Sequence, residues 1–172
     1  MSMSYALVHY PNINTEYINQ IRQKYDPQFN LIEPHITLVF PVIESINENN
    51  LILHIDSILS KWKIFPICLK GLQKSWDEYI FLMLEEGKVD MIELHNELYT
   101  GILDEYCRDN LQFVPHLTLG ICRKDTDQFL QFLKEVQHLG LNYRCFVDKV
   151  HLINIADQKR SIIWSKEFVL RN

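Results

Sequence analysis

The 172-residue sequence predicts an α+β protein of two related lobes, each an antiparallel sheet with helices on one face. Three observations carry that prediction. A heptapeptide, PHITLVF at 34–40, returns as PHLTLGI at 115–121. The predicted elements run in one order around each copy: helix, motif strand, helix, strand, strand, with one extra leading strand in the first half. No low-complexity tract or flexible linker separates the halves. The lobes, about 1–86 and 87–172 with exchange of strands between them left open, therefore form a single domain over 1–172.

Each element has its own signal. YALVHY at 5–10 reads as a strand ended by Pro11, and Asn14 caps a helix with Tyr17, Ile18, Ile21 and Tyr25 on its apolar face. Pro27 and Pro34 punctuate a loop before the first motif strand. Asn47 opens a second helix bearing Leu51, Ile55, Ile58, Leu59 and Trp62. Strands over 64–73 and 78–85 flank a turn at Trp76-Asp77, and Gly87 breaks the chain. A third helix runs through Val89, Ile92, Leu98 and Ile102 to the second motif. Asp125 caps a fourth, carrying Phe129, Phe132, Leu133 and Val136, and Gly140 ends it in C′ position. Strands over 143–155 and 161–170 complete the chain.

Composition narrows the function classes. The residues are 47% apolar and 23% charged, an ordinary soluble balance, and no apolar run approaches the roughly 18 residues of a membrane span. The start, MSMSYALVHYPNI, lacks a basic leader and a cleavage site, so a cytoplasmic protein is expected, with no membrane and no obligate protein partner. Cys68, Cys107, Cys122 and Cys145 show no CxxC spacing and read as reduced structural thiols. A net charge of −5 argues against coating long nucleic acid. Nine Lys/Arg against six Asp/Glu from Cys122 onward allow either a solvated surface or a modest positive rim near a small anion.

The repeated strand carries the chemistry. Alternation puts His35 and Thr37 on one face and Ile36, Leu38 and Phe40 on the other; His116 and Thr118 repeat this against Leu117 and Leu119. Proline has no ladder donor, so Pro34 and Pro115 place both histidines at the mouths of their strands. A pseudo-two-fold between lobes would turn both mouths toward one cleft and gather His35, Thr37, His116 and Thr118 around one ligand. Two histidines flanking a phosphate can break a phosphodiester without a metal or any other cofactor. One takes a proton from the attacking oxygen, the other gives one to the leaving oxygen, and threonine hydroxyls donate to the non-bridging oxygens. Two chance copies of HxTL in such a chain are expected on the order of once in a few thousand sequences, so accident is the weaker explanation.

PHITLVF and PHLTLGI resemble the paired HxT signatures of the two-histidine (2H) phosphoesterase superfamily, which includes the 2′-5′ RNA ligase-like proteins. YDPQFNLIEPHITLVFP and HLTLG are similar to the small bacterial LigT-like branch, and the resemblance spans nearly the whole chain. It implies a bilobal α+β fold with a central cleft. It also implies hydrolysis or formation of bonds at the ribose 2′ position, commonly the opening of 2′,3′-cyclic phosphates. The substrate would then be a nucleotide or RNA end carrying a cyclic or 2′-linked phosphate. By resemblance His35 protonates the leaving oxygen, His116 is the base, and Thr37 and Thr118 hold the phosphate. Many ligase-type relatives carry an arginine five residues after the second histidine; here that position is Ile121, with Arg123 two places on.

Other residues are candidates for the same cleft. Tyr5, Tyr10, Trp76, Tyr79, Tyr143 and Trp164 could stack on a base or simply pack, and Tyr10, Arg123 and His151 are the candidate further substrate contacts. The remaining histidines show no metal-ligand spacing, and His95 reads as a satisfied core histidine. No GxxxxGK, GxGxxG or GxSxG motif is present. The readings to separate are a cyclic phosphodiesterase, a nucleotide- or RNA-binding module that turns nothing over, and a histidine-based metal hydrolase. The step from Val39-Phe40 in the first copy to Gly120-Ile121 in the second is where substrate choice is expected.

Overall fold

The computed structural model describes residues 3–43, 46–107, 112–122, 126–156 and 161–172. Its strands are β1 (Met3–His9), β2 (Ile36–Ile43), β3 (Phe65–Lys74), β4 (Tyr79–Glu86), β5 (His116–Ile121), β6 (Asn142–Val147), β7 (Lys149–Ala156) and β8 (Ser161–Val169). The helices are α1 (Glu16–Tyr25), α2 (Glu48–Leu59), α3 (Lys88–Leu98) and α4 (Thr126–Leu139), with a 3₁₀ turn at Gly101–Tyr106.

The strands lie in the order β6-β3-β4-β5-β2-β1-β7-β8, and each pairing between these strands is antiparallel. This order resolves into two four-stranded halves, β6-β3-β4-β5 and β2-β1-β7-β8. They meet at a single registered pair, Ile36 opposite Leu117. Each half holds one motif strand at its inner edge, so the repeat read in the sequence becomes a seam. The halves exchange segments: β3 and β4 pair with β5 and β6, while β7 and β8 pair with β1. Helices cross too, with α1 packing on β5 and α3 on β2.

Local chemistry explains some element ends. Asn47 caps α2, its side chain accepting from the Asn50 N–H at 3.1 Å. Asn14 acts one residue outside the α1 cap position, where its Oδ1 takes the Glu16 N–H at 2.9 Å. Gly140 follows α4 at φ +57°, the left-handed C′ geometry expected of it. Asp125, the expected cap of α4, lies outside the described residues.

Three expectations are corrected. The run 143–155 is two strands, β6 and β7, because the chain leaves one half at Asp148 and enters the other. The buried face of α3 is Met91, Leu94, His95 and Leu98; Val89 is 68% exposed. His95 is a core histidine as expected, but Met91 and Leu94 take the buried positions beside it in place of Val89 and Ile92. In β2, Val39 is buried and Phe40 only half-buried, because register shifts between β1 and β2 reverse the alternation past the motif.

Ile36, Leu38, Leu117 and Leu119 join the buried faces of the four helices in one main core. A second, small cluster of Ala6, Val8 and Ile153 lies apart from it, on the face that Thr37 shares. Cys68, Cys122 and Cys145 are buried thiols and Cys107 is exposed. Among the described residues, no helix is long and apolar enough to cross a membrane.

Candidate active site

The seam positions the four motif side chains. Ile36 and Leu117 are fully buried in the main core, so His35, Thr37, His116 and Thr118 emerge together on the opposite face. Carried one residue each way from that pair, an antiparallel register would bring His35 toward Thr118 and Thr37 toward His116. Directly opposed residues have Cβ atoms about 4.5–5.5 Å apart, and same-face neighbours along a strand lie about 6.6 Å apart. The four half-buried side chains thus mark the corners of a patch that one phosphate can span. Both strand mouths meet because antiparallel partners that overlap only at their starts must bring those starts together.

Each histidine is anchored by the same local device. His35 Nδ1 donates to the Glu33 carbonyl at 2.8 Å, and His116 Nδ1 donates to the Val114 carbonyl at 2.6 Å. A carbonyl only accepts, so in both rings Nδ1 carries the hydrogen and Nε2 is left to exchange a proton. The intervening residue is proline in each case, and its fixed φ holds the carbonyl two residues back against the ring. The doubled proline therefore sets the tautomer as well as the strand mouth.

Neighbours differ on the two sides. Phe81 of β4 stacks on His116 with centroids 3.6 Å apart, and Tyr79 stacks on Phe81 at 6.2 Å. Tyr10 stands edge-on to His35 at 6.3 Å and to His151 at 5.0 Å. His151 lies in register with Val8, itself opposite Thr37, and approaches Glu167 at 3.8 Å. The loop before His35 is held from beneath. Arg22, 2% exposed, pairs with Asp26 at 2.8 Å and donates to the Ile32 carbonyl at 2.7 Å.

Of the expected substrate contacts, Tyr10 and His151 lie beside the site, and Arg123 falls outside the described residues. Among the other aromatics, Tyr79 flanks the His116 side and Tyr5 is buried in the main core, bonded to Glu48 at 2.8 Å. Tyr143 and Trp164 pack on that core, and Trp76 is 90% exposed on its turn. His95 is buried, bonded to the Leu38 carbonyl at 2.7 Å and stacked on Phe113. Sequence reasoning missed Arg22 and Phe81. The i,i+4 spacing of Arg22 and Asp26 and the alternation of Phe81 within its strand were the signals available. Among the described residues, no three His, Cys, Asp or Glu converge as metal ligands would.

Gly120 turns out to serve packing. A Cβ there would lie 2.5 Å from Tyr25 Cβ and 2.7 Å from the Tyr25 backbone, where α1 presses on β5. The glycine that ends the second motif is thus explained by a helix contact, without any appeal to substrate. Gly120→Ala is expected to cost about 1–3 kcal/mol by overpacking. Urea denaturation measures it, and an unchanged midpoint would show that α1 yields freely.

Burial pushes the His35 imidazole from 6.5 down to about 4, outweighing the carbonyl bond to Glu33; nearby Arg22 and His116 lower it further. Burial also lowers His116, against its bond to Val114 and the charge of Asp77. Between about pH 4 and 6.5 the unfolded chain therefore binds more protons at His35 than the folded one. This contribution to stability is complete above 6.5 and is lost as pH falls toward 4. His35→Gln is expected to lose less stability than wild type between pH 7 and pH 5 in urea titrations. Equal losses would assign the effect to other groups.

Two half-sheets that each bring a histidine and a threonine to their common seam have the layout of a two-histidine phosphoesterase. The chain belongs to the 2′-5′ RNA ligase superfamily, whose sequence profile matches residues 10–159. Named relatives are phosphoesterases by description. A Bacillus licheniformis "Putative phosphoesterase" is 28% identical over 160 residues, covering 90% of this chain and 92% of its own. An Oceanobacillus iheyensis protein of the same description is 25% identical, with 98% of each chain covered. Solved structures share the fold. E. coli LigT complexed with NADP+ superposes with a TM-score of 0.63 at 18% identity, over 99% of this chain and 98% of its own. E. coli LigT complexed with 3′-AMP gives 0.60 at 17% identity, with 100% of both chains covered.

Proposed function

We propose that the protein is a metal-independent phosphoesterase that works at the ribose 2′ position by paired-histidine acid–base catalysis. It opens 2′,3′-cyclic phosphodiesters, or cleaves and forms 2′-5′ ones. The observation that carries this reading is the doubled carbonyl anchor, which leaves one proton-exchanging Nε2 at each end of a phosphate-sized patch. Superfamily membership and the nucleotide complexes of E. coli LigT are consistent with it.

In hydrolysis of a cyclic phosphate, His116 Nε2 takes a proton from water as the water oxygen bonds to phosphorus. The bond from phosphorus to one ribose oxygen breaks, and its electron pair stays on that oxygen, which receives the Nε2 proton of His35. The products are a phosphomonoester and a free hydroxyl; His116 is left protonated, His35 neutral, and exchange with solvent resets both. Thr37 and Thr118 donate to the non-bridging oxygens, where charge shifts during transfer. In ligation a hydroxyl of a second chain end takes the place of water, giving its proton to His116 Nε2 as its oxygen bonds to phosphorus. The ribose oxygen leaves with the proton of His35; cleavage of a 2′-5′ bond is that step reversed, with the histidine roles exchanged.

Because burial keeps both imidazoles neutral in the resting protein near pH 7, the acid acquires its proton when the phosphate anion arrives. Phosphate binding is therefore expected to take up protons, measurable by calorimetry in buffers of different ionisation enthalpy. Buffer-independent heats would argue against a protonated histidine in the complex. The function itself is tested by incubating purified protein with nucleoside 2′,3′-cyclic phosphates in EDTA across pH. A bell-shaped rate profile is expected. Saturable binding without turnover, across cyclic phosphates and 2′-5′ oligonucleotides, would support a binding module instead.

A further inference from the structure

We propose that His95 is a positioning residue for the catalytic pair, a buried brace through which α3 ties the first motif strand to the segment that anchors His116. This deepens the function above and rests on it for the role of His116.

The seam creates the need for a brace. β2 and β5 share one registered pair, Ile36 with Leu117, and so short a ladder constrains the two histidines less than a full strand pairing would. α3 packs on β2 beside this seam, and its His95 is buried. His95 Nδ1 donates to the Leu38 carbonyl of the first motif strand at 2.7 Å. Burial lowers the imidazole below its usual 6.5, so near pH 7 the ring is neutral with its hydrogen on Nδ1.

The same ring lies flat on Phe113, with centroids 3.7 Å apart and planes 1° from parallel. Phe113 immediately precedes Val114, whose carbonyl takes the His116 Nδ1–H at 2.6 Å. The next carbonyl, that of Pro115, accepts the Leu84 N–H of β4 at 3.2 Å. Segment 113–115 is thus gripped by α3 through one ring and by β4 through one bond, with the His116 anchor between the two grips. Phe40 of β2 also meets Phe113 edge-on at 6.5 Å, and its N–H donates to the Tyr99 hydroxyl at 3.0 Å, just past α3. Leucine at 95 would fill the core as well. Only a flat ring with a donor on its edge makes both the bond and the stack.

The other half holds a counterpart. α1 precedes the first motif as α3 precedes the second, and it packs on β5 while Arg22 holds the Ile32 carbonyl in the loop before His35. Each catalytic histidine is therefore backed by a buried polar side chain from the helix before it.

The test measures kcat and KM for a nucleoside 2′,3′-cyclic phosphate in His95→Leu and Phe113→Leu, the second at a half-buried position where folding is less at risk. In both, kcat is expected to fall about tenfold to a hundredfold with KM within about twofold of wild type, the cost of a slightly misplaced catalytic group. Phe113→Tyr, which keeps the ring, should restore turnover. Imidazole nitrogen NMR supplies a readout that lost stability alone does not move. In wild type His116 should show the Nδ1–H tautomer; in both leucine variants its two nitrogen shifts should draw together as tautomers mix, while those of His35 stay put. Unchanged kcat in Phe113→Leu, no rescue by Phe113→Tyr, or a wild-type His116 spectrum in the folded variants overturns the proposal. If wild type opens no cyclic phosphate, the functional reading fails, and the His116 spectrum alone decides the brace. If His95→Leu does not fold, Phe113→Leu decides it.

Discussion

Replacing either His35 or His116 by alanine is expected to slow opening of a 2′,3′-cyclic nucleotide by about 10²–10⁴-fold, the contribution of a positioned acid or base. Both positions are half-buried at the seam, and each Nδ1 is already committed to a backbone carbonyl. Tyr10, edge-on to His35, is a poor substitute, since burial and Glu33 hold its hydroxyl up at about 12. Groups that act as a unit are not additive, so the double variant should lose little beyond the worse single one. Steady-state rates in EDTA, with circular dichroism as the folding control, decide the matter. Full activity in both single variants would sink the mechanism.

Arg22→Met is expected to cost about 3–5 kcal/mol, the usual penalty for leaving one partner of a buried ion pair alone. Asp26 is only 6% exposed and would keep an uncompensated carboxylate, while the Ile32 carbonyl would lose its donor. Arg22→Lys should not rescue, because one ammonium cannot reach both acceptors with the guanidinium's fork. Arg22→Met combined with Asp26→Leu should recover most of the stability, since an apolar pair of similar volume carries no buried charge. Turnover should stay depressed in that double variant, because Arg22 no longer ties down the loop that ends in Glu33 and His35. A single variant that unfolds at the wild-type urea midpoint would show that the pair is not a structural clamp.

The motif was legible in the sequence because strand alternation is a local rule. Two residues apart means the same face, wherever the strand later sits, and so His35 goes with Thr37 and His116 with Thr118. The caps at Asn47 and Gly140 were readable for the same reason, their partners lying within one turn of helix. Where a distant segment decides a position, the local pattern misled. The buried face of α3 is chosen by β2 beneath it, to which His95 bonds at the Leu38 carbonyl 57 residues earlier, and the spacing of Val89 and Ile92 does not reveal it. The packing need for glycine at 120 was hidden for the same reason, since the Tyr25 backbone that excludes a Cβ there lies on α1, far away in the chain.

By itself, then, the sequence determined that two equivalent strands each present a histidine and a threonine, with a proline before each histidine. That follows from backbone geometry alone. Only the tertiary structure decided that the two strands are neighbours, joined through Ile36 and Leu117, so that both histidine–threonine pairs emerge at one seam. Pairing between strands some eighty residues apart depends on how the halves exchange hairpins and share one core, and no local pattern encodes it. The carbonyl anchors stand between these cases: each spans two residues, yet it becomes a chemical device only because the seam brings its twin alongside.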